Sequence, residues 1–552
     1  MRKILTLISA TFITGNLFAG GLVTNTNQSA SWVRLPSRNA STEADAVYYN
    51  PAGLMRLDNG FHLSISNQTI FQTREIDNSY YSLNENLYKG TVFAPFFPSI
   101  HAAYKLDRLA FSVGFMPVGG GGGATYKKGL PSFEMGISDL VAGLASQGVT
   151  GYSTDIYFKG SSIFMGYQGT VSLKINDFVS VAAGARYVTA KNAYEGHLQD
   201  VEVIMGGNNV AATTVLNGIV TNLTGIIGIP SSLAAAISGG FGGATLANLV
   251  AAGQMTAAQK TAIEAGLVYI GVPPAALPTM DLNTISGTVT AATPALQTTR
   301  AKTAATSTLV SDKTADVTQT GSGITPIISV NLSPTENLNI AVKFEFPTKI
   351  ELENNTKQDL LIGYTATGEP ITQFPDGEKI RNDMPAMLAV GVDYRLSDNL
   401  KVAFGGNYYF DKSADYGHKV DHDLNPRTPA VHIDNSDIIE NNGMSIQGGL
   451  EFNISDNLLV SGGYVYANKG VNNRYQSDMT FGNATHTIGA GGALSVTDNI
   501  KINLGASYTS YVENSRTVDH IVEVAGTPVN ITAKESYKKS TILFGLGLDF
   551  SF

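Results

Sequence analysis

The second half of the chain repeats one unit three times: a run of alternating apolar and polar residues, a Ser/Thr-Asp-Asn turn, and another alternating run. The turns are Ser397-Asp398-Asn399, Ser455-Asp456-Asn457 and Thr497-Asp498-Asn499. After the first, Leu400, Val402, Phe404, Tyr408 and Phe410 alternate with Lys401, Ala403, Gly405 and Asn407. The terminal run sets Ile542, Phe544, Leu546, Leu548, Phe550 and Phe552 against Gly545, Gly547, Asp549 and Ser551. A period of two predicts strands, and a soluble antiparallel sheet alternates in the same way. Long strands joined alternately by tight polar turns and long loops point further, to an outer-membrane barrel with apolar side chains toward lipid and polar ones toward the lumen.

Alternating runs fall near residues 60–74, 95–106, 108–118, 156–175, 178–200, 324–333, 337–353, 383–396, 399–413, 441–454, 457–469, 485–496, 499–513 and 538–552. The fold predicted is all-β: a transmembrane antiparallel barrel of about 14 strands over residues 60–552, with both ends on the periplasmic side. Short connections at Leu106-Asp107-Arg108, Asn176-Asp177, Pro334-Thr335-Glu336 and the three Asp-Asn turns alternate with long ones.

The longest connection, residues 201–323, is apolar for a loop exposed to water. Between Met205 and Thr299 the only charged residues are Lys260, Glu264 and Asp281. Thr256 and Gln259 have the spacing of a capping box, which starts a helix running through Ala265. Two uses are open for this segment: an insertion packing its own small core, or an apolar docking surface for a water-insoluble ligand.

Composition narrows the class. Arg2 and Lys3, the apolar stretch Ile4 to Phe18 and Ala19 before Gly20 read as a secretory signal over residues 1–19, and no other run reaches the length of a spanning helix. The chain has no cysteine, which excludes a lipid-anchored Cys, a disulfide framework and thiolate metal sites. Charged residues are 15%, against roughly 25% in soluble domains, while Gly, Tyr and Phe are plentiful. The net charge of -9 argues against nucleic acid as a partner.

Residues 20–59 do not alternate. They hold the single Trp, Trp32, and the run Ala44-Asp-Ala-Val-Tyr-Tyr-Asn-Pro-Ala-Gly-Leu54. Asn50 before Pro51 is pushed out of the helical region, and Gly53 tolerates angles that other residues avoid, so a tight fixed turn is expected. A signal, a segment ending in Asn-Pro-Ala-Gly-Leu and a 14-strand barrel together resemble the FadL family of outer-membrane transporters for long-chain fatty acids and other hydrophobic compounds. Phe115-Met-Pro-Val-Gly, with its Pro-x-Gly after the third strand, and the terminal aromatic strand extend the resemblance over nearly the whole mature chain. It implies that residues 20–59 form a lumenal hatch carrying the motif Asn50, Pro51 and Ala52. It further implies that a kink in the third strand opens the wall, and that the third and fourth external loops, here 201–323 and 354–382, form a hydrophobic groove. A much longer third loop and the run Gly119 to Gly123 depart from the family pattern.

Candidate chemistry is sparse, and no enzyme is expected. The Gly119 to Gly123 run has no helix behind it to hold a phosphate and is read as a flexible loop. His418, Asp421, His422 and Asp423 are read as a solvated cluster in an external loop, so no metal or other cofactor is assigned. Alternation places Arg186, Lys343 and Glu345 on the lumen side. Arg186 and Lys343 are candidate contacts for a ligand carboxylate, weighed against a structural pairing in which Glu345 answers Lys343. The function expected is passive outer-membrane transport of hydrophobic molecules, with a general porin or a surface adhesin as rivals. The partners implied are hydrophobic small molecules, outer-membrane lipid and, through Phe552, the barrel assembly machinery.

Overall fold

The computed structural model describes residues 24–364, 370–417, 419–421, 431–433, 435–473, 476–479, 481–524 and 527–552. The signal segment 1–19 and His418, His422 and Asp423 lie outside these described residues. The barrel strands, numbered in chain order, are β1 (Gly60–Asn78), β2 (Pro98–Leu106), β3 (Leu109–Tyr126), β4 (Val149–Lys174), β5 (Val179–Met205), β6 (Lys313–Leu332), β7 (Leu338–Glu345), β8 (Met387–Ser397), β9 (Leu400–Tyr409), β10 (Met444–Ser455), β11 (Leu458–Asn468), β12 (Thr485–Thr497), β13 (Ile500–Tyr511) and β14 (Thr527–Ser551). Each pairs antiparallel with the next, and β14 pairs with β1. The ring therefore closes without an edge strand. At the seam, the Phe61 N–H donates to the Phe552 carbonyl and the Phe552 N–H to the Phe61 carbonyl, each at 2.9 Å. The last residue of the chain is thus part of the closure.

The alternation read in the sequence is the alternation of the wall. On β1, Phe61, Ile65 and Phe71 face outward and are exposed, while His62, Ser64, Ser66 and Gln68 are buried toward the lumen. Phe111, Tyr167, Phe404, Leu450, Leu504 and Leu546 continue the outer apolar belt. This inverts a soluble barrel, whose large apolar side chains point inward.

Several strands run well past the belt toward the long-loop end. β4 has 26 residues and β5 has 27, where a tilted spanning strand needs about 9–11. Their extensions carry the insertion, which is mostly helical: Ala212–Ile227, Ile229–Ala236, Leu246–Ala251, Ala257–Tyr269 and Leu282–Leu309. Thr256 and Gln259 form the expected capping box, and the helix they start runs on to Tyr269. Leu216, Leu223, Leu267, Leu282 and Ile285 are buried together, in one cluster with Ile156, Leu198 and Val203 of the strand extensions and Ile137 and Leu140 of the helix Pro131–Gly143. Of the two uses weighed for the segment, packing its own core is the one its apolar side chains adopt. What it presents outward includes Thr214, Asn217, Thr221, Asn222 and Thr224.

One local expectation is corrected. Gly119 to Gly123 do not form a loop; they lie within β3. The register of β3 against β4 slips between Pro117 and Gly119 and again between Gly119 and Gly122. Each slip is a β-bulge, one extra residue that bends the strand.

Candidate functional site

Residues 24–59 sit inside the barrel at the short-turn end, as short helices Ala30–Arg34, Ala46–Tyr49 and Pro51–Arg56 joined by turns. Nearly all of residues 28–55 are buried. The Asn50 side chain organises the motif from both ends: its Oδ1 accepts from the Gly53 N–H at 3.2 Å, and its Nδ2 donates to the Ser41 carbonyl at 3.1 Å and to Asn331 Oδ1 at 2.7 Å. The wall holds the peptide groups that follow. Ser172 Oγ donates to the Pro51 carbonyl and Ser180 Oγ to the Ala52 carbonyl, each at 2.7 Å, and the Ala52 N–H donates to Ser329 Oγ at 3.2 Å. Gly53 is required by space rather than angle, because a Cβ there would lie 2.2 Å from Asn50 Nδ2 and 2.7 Å from the Ser41 carbonyl oxygen. The motif is a turn bonded to β4, β5 and β6 at once.

Charged contacts lock the rest of the hatch. Arg34, fully buried, reaches Glu451 and donates to Asn503 at 3.0 Å; Glu451 also pairs with Lys401 at 2.8 Å. Glu43 pairs with Lys501 at 2.7 Å, and Arg38 with Asp45 at 2.7 Å. Arg186 and Lys343, the two carboxylate candidates, converge on one acid. Arg186 makes a two-point pair with Glu345, both contacts at 2.8 Å, and Lys343 Nζ lies 2.7 Å from Glu345 Oε1. Lys343 also donates to the Tyr48 carbonyl at 2.7 Å, and both cations lie over the Tyr48 ring, at 4.9 and 4.2 Å. An unpaired buried cation is costly, and Glu345 lowers that cost for both, one carboxylate shared between two cations. A ligand carboxylate would have to displace Glu345 to reach them.

Above the hatch the wall is interrupted. β2 pairs with β3 as far as Ile100 opposite Phe115, and pairing on that side resumes only at Thr91 and Gly90, opposite Thr125 and Tyr126. Between these points the bulged stretch of β3 has no neighbouring strand on its β2 side. The first described residues meet it there instead. Thr24 bridges Gly119, the Asn25 N–H donates to the Val118 carbonyl at 2.8 Å, and Gln28 Nε2 donates to the Pro117 carbonyl at 2.8 Å. A buried backbone carbonyl without a donor would be destabilising, so this segment substitutes for the missing strand.

A cavity of about 340 Å³ opens at the interruption. Its lining includes Thr26, Trp32, Ile70, Thr487 and Leu543 on the lumen side, together with Gly119 to Gly121, Phe96 and Ile163. Ile163 is 42% exposed on the outward side of β4, opposite in direction to the buried Phe164, and Phe96, in the connection before β2, is 79% exposed. One space is therefore lined from both faces of the wall. The lining also contains Lys469, Lys539 and Asp411, which strand-by-strand alternation did not single out because they lie at or beyond the ends of the legible runs.

Over the cavity, the loop segment between β1 and β2 packs on the helix Pro131–Gly143 and on the strand Asn514–Val524. Tyr88 Oη donates to Glu134 at 2.5 Å, and Tyr80 Oη and His520 Nε2 both reach Asp139. Burial, with these carboxylates beside them, pushes the Tyr80 and Tyr88 hydroxyls well above the ordinary phenol range, so both stay protonated donors.

No family model and no curated protein matches the sequence. Solved structures do match its shape. A FadL homologue of Pseudomonas aeruginosa superposes with a TM-score of 0.54 at 12% identity, covering 97% of this chain and 99% of its own. A deltaS2S3 mutant of the monoaromatic hydrocarbon channel TodX gives 0.50 at 12% identity, over 96% of this chain and 100% of its own. At that identity the likeness is one of architecture, and it spans whole chains: this protein has the fold of the FadL-type plugged barrel.

Proposed function

We propose that the protein is a passive outer-membrane transporter for hydrophobic molecules, which cross the wall beside the bulged third strand. The observation that carries this is one cavity lined both by lumen residues such as Trp32 and by Ile163 on the outward side of β4. A hydrophobic molecule gains about 0.8 kcal/mol for each methylene removed from water. A chain of apolar sites leading from the external loops to the lipid-facing side is therefore sufficient to move it, with no energy source and no cofactor. In this orientation the short turns are periplasmic and the long loops extracellular. The hatch fills the periplasmic end, which is the feature that disfavours a general porin. The fold neighbours include a FadL homologue and a monoaromatic hydrocarbon channel, and this reading brings hydrophobic cargo of the latter's kind to this chain.

The motif Asn50, Pro51 and Ala52 is proposed to keep the hatch seated during transport, and Phe552 to serve recognition by the assembly machinery. The test is uptake of a labelled fatty acid and a labelled aromatic hydrocarbon by cells whose only hydrophobic-compound transporter is this protein. Uptake above that of cells lacking the protein is expected. Equal uptake, with the barrel assembled and heat-modifiable, would overturn the proposal.

A further inference from the structure

A packed cap closes the cavity on its extracellular side. On β14 the inward positions run from Thr541 and Lys539, which line the cavity, to Tyr537 and Ala533, which are buried in the cap core; Val92 belongs to both lining and core. The cap joins the loop segment between β1 and β2, the helix Pro131–Gly143 and the strand Asn514–Val524, which pairs with the extension of β14. The helix meets two cores: Met135 is buried in the cap, whereas Ile137 and Leu140 are buried with the helical insertion. Two of its carboxylates, both buried, fasten it. Asp139 accepts from the Tyr80 hydroxyl, in the loop after β1, and lies 2.5 Å from His520 Nε2 on the facing strand. Glu134 accepts from the hydroxyls of Tyr88 at 2.5 Å and Tyr152 at 2.6 Å. The hatch is held differently, by ion pairs to the wall such as Arg34 with Glu451 and Glu43 with Lys501. Separating a buried ion pair leaves a charge uncompensated. A hydroxyl and a carboxylate released from each other can both bond water instead, so the net loss is small. Gly129, at φ 69°, precedes the helix and Gly148, at φ 85°, follows it. Glycine adopts such angles without steric cost, and residues at the ends of an element are where a hinge absorbs a change in backbone direction.

We propose that the helix Pro131–Gly143 is the extracellular gate of the cavity, with Asp139 and Glu134 as the positioning residues that latch it shut. The inference rests on the transport reading and adds the step that admits cargo. Opening releases Asp139 from Tyr80 and His520 and Glu134 from Tyr88 and Tyr152, lifts Met135 out of the cap core, and uncovers the inward face of β14 above Lys539. Both carboxylates then gain the solvation that burial denies them. The barrel strands and the ion-paired hatch stay in place. Ile137 and Leu140 tie the helix to the core of the insertion, so the two move as one body.

The chain has no cysteine, so a pair of thiols placed across the latch is its only pair. The double variant Asp139→Cys, His520→Cys removes one latch contact and lets the helix be tied to the facing strand by a short bis-methanethiosulfonate cross-linker, which a reducing agent releases. Uptake is followed in cells with a labelled fatty acid or a labelled aromatic hydrocarbon, whichever the parent takes up. With free thiols, uptake should equal or exceed that of the parent. Cross-linking should lower it to the level of cells without the protein, and reduction should restore it, which a merely structural role for Asp139 would not produce. Glu134→Cys, Tyr88→Cys tests the second latch contact in the same way, and decides the matter should the first pair not assemble as a heat-modifiable barrel. Lys159→Cys, Glu195→Cys, directly opposite one another on β4 and β5, is the control and should keep its uptake when cross-linked. Undiminished uptake by the cross-linked latch pairs, or an equal loss in the control, overturns the gate while leaving hydrophobic transport standing. Failure of the parent to take up either compound overturns the transport reading with it.

Discussion

In the periplasmic half of the lumen, charge meets charge across the hatch–wall boundary: Arg34 with Glu451, Glu43 with Lys501, and Arg186 and Lys343 with Glu345. In the half above it, Arg74 and Lys539 oppose each other and the wall loses a strand neighbour. The same barrel supplies both environments, so the difference does not come from the fold. The lower half is filled by the protein's own chain, and its polar lining is complementary to that chain. The upper half is left as a cavity beside the bulged strand. Ion pairs between wall and hatch therefore mark the seat of the hatch.

Removing one acid from the lower half is the strongest way to break this contrast. Glu345→Ala leaves Arg186 and Lys343 buried without a counter-charge, and should destabilise the seated hatch by about 3–5 kcal/mol. The expected result is rapid protease cleavage within residues 24–59 of a barrel that remains heat-modifiable. A third region sharpens the comparison, because the helical insertion has its own core. Leu216→Ala should cost that core about 2–5 kcal/mol, read as loss of hydrogen-exchange protection across residues 212–309 with the hatch unaffected. Asn50→Ala removes the acceptor for Gly53 and the donor to Asn331, a loss of about 1–3 kcal/mol where partners are left unsatisfied. It should change uptake of a labelled hydrophobic compound while circular dichroism keeps the parent strand content. The exposed pair Lys159–Glu195, at 3.1 Å on the strand extensions, is the control: Lys159→Ala should shift stability by less than about 1 kcal/mol in urea unfolding from detergent.

Much of this architecture is legible from alternation alone, since lipid outside and a polar lumen inside impose a period of two on every spanning strand. The three Asp-Asn turns and the capping box at Thr256 were readable for the same reason: each depends on neighbours in sequence. The bulged stretch of β3 was not, because glycines carry no side chain to alternate and Gly119 to Gly123 look the same in a bent strand as in a loop. Arg186 and Lys343 were correctly placed on the lumen face. Their joint capture by Glu345 depends on strands 159 positions apart in sequence for Arg186, which a strand-by-strand reading does not resolve. The Arg74–Lys539 pair could have been found by counting. With the ends of the barrel joined so that His62 lies opposite Ser551, the uninterrupted register leads to Arg74 opposite Lys539.

In the proposed route, cargo leaves through the interruption beside β3. The two register slips make β3 two residues longer than β4 between Pro117 and Gly122, so deleting Val118 and Gly120 should restore continuous register with β4 and remove the bend that carries β3 away from β2, while keeping the inward–outward alternation. The measurement is uptake of a labelled hydrophobic compound by cells carrying this deletion, alongside Trp32 fluorescence binding on the purified protein. Uptake falling to the level of cells without the protein, from an assembled barrel, is the predicted result. Parent-level uptake with a closed, uninterrupted β3 would contradict the account.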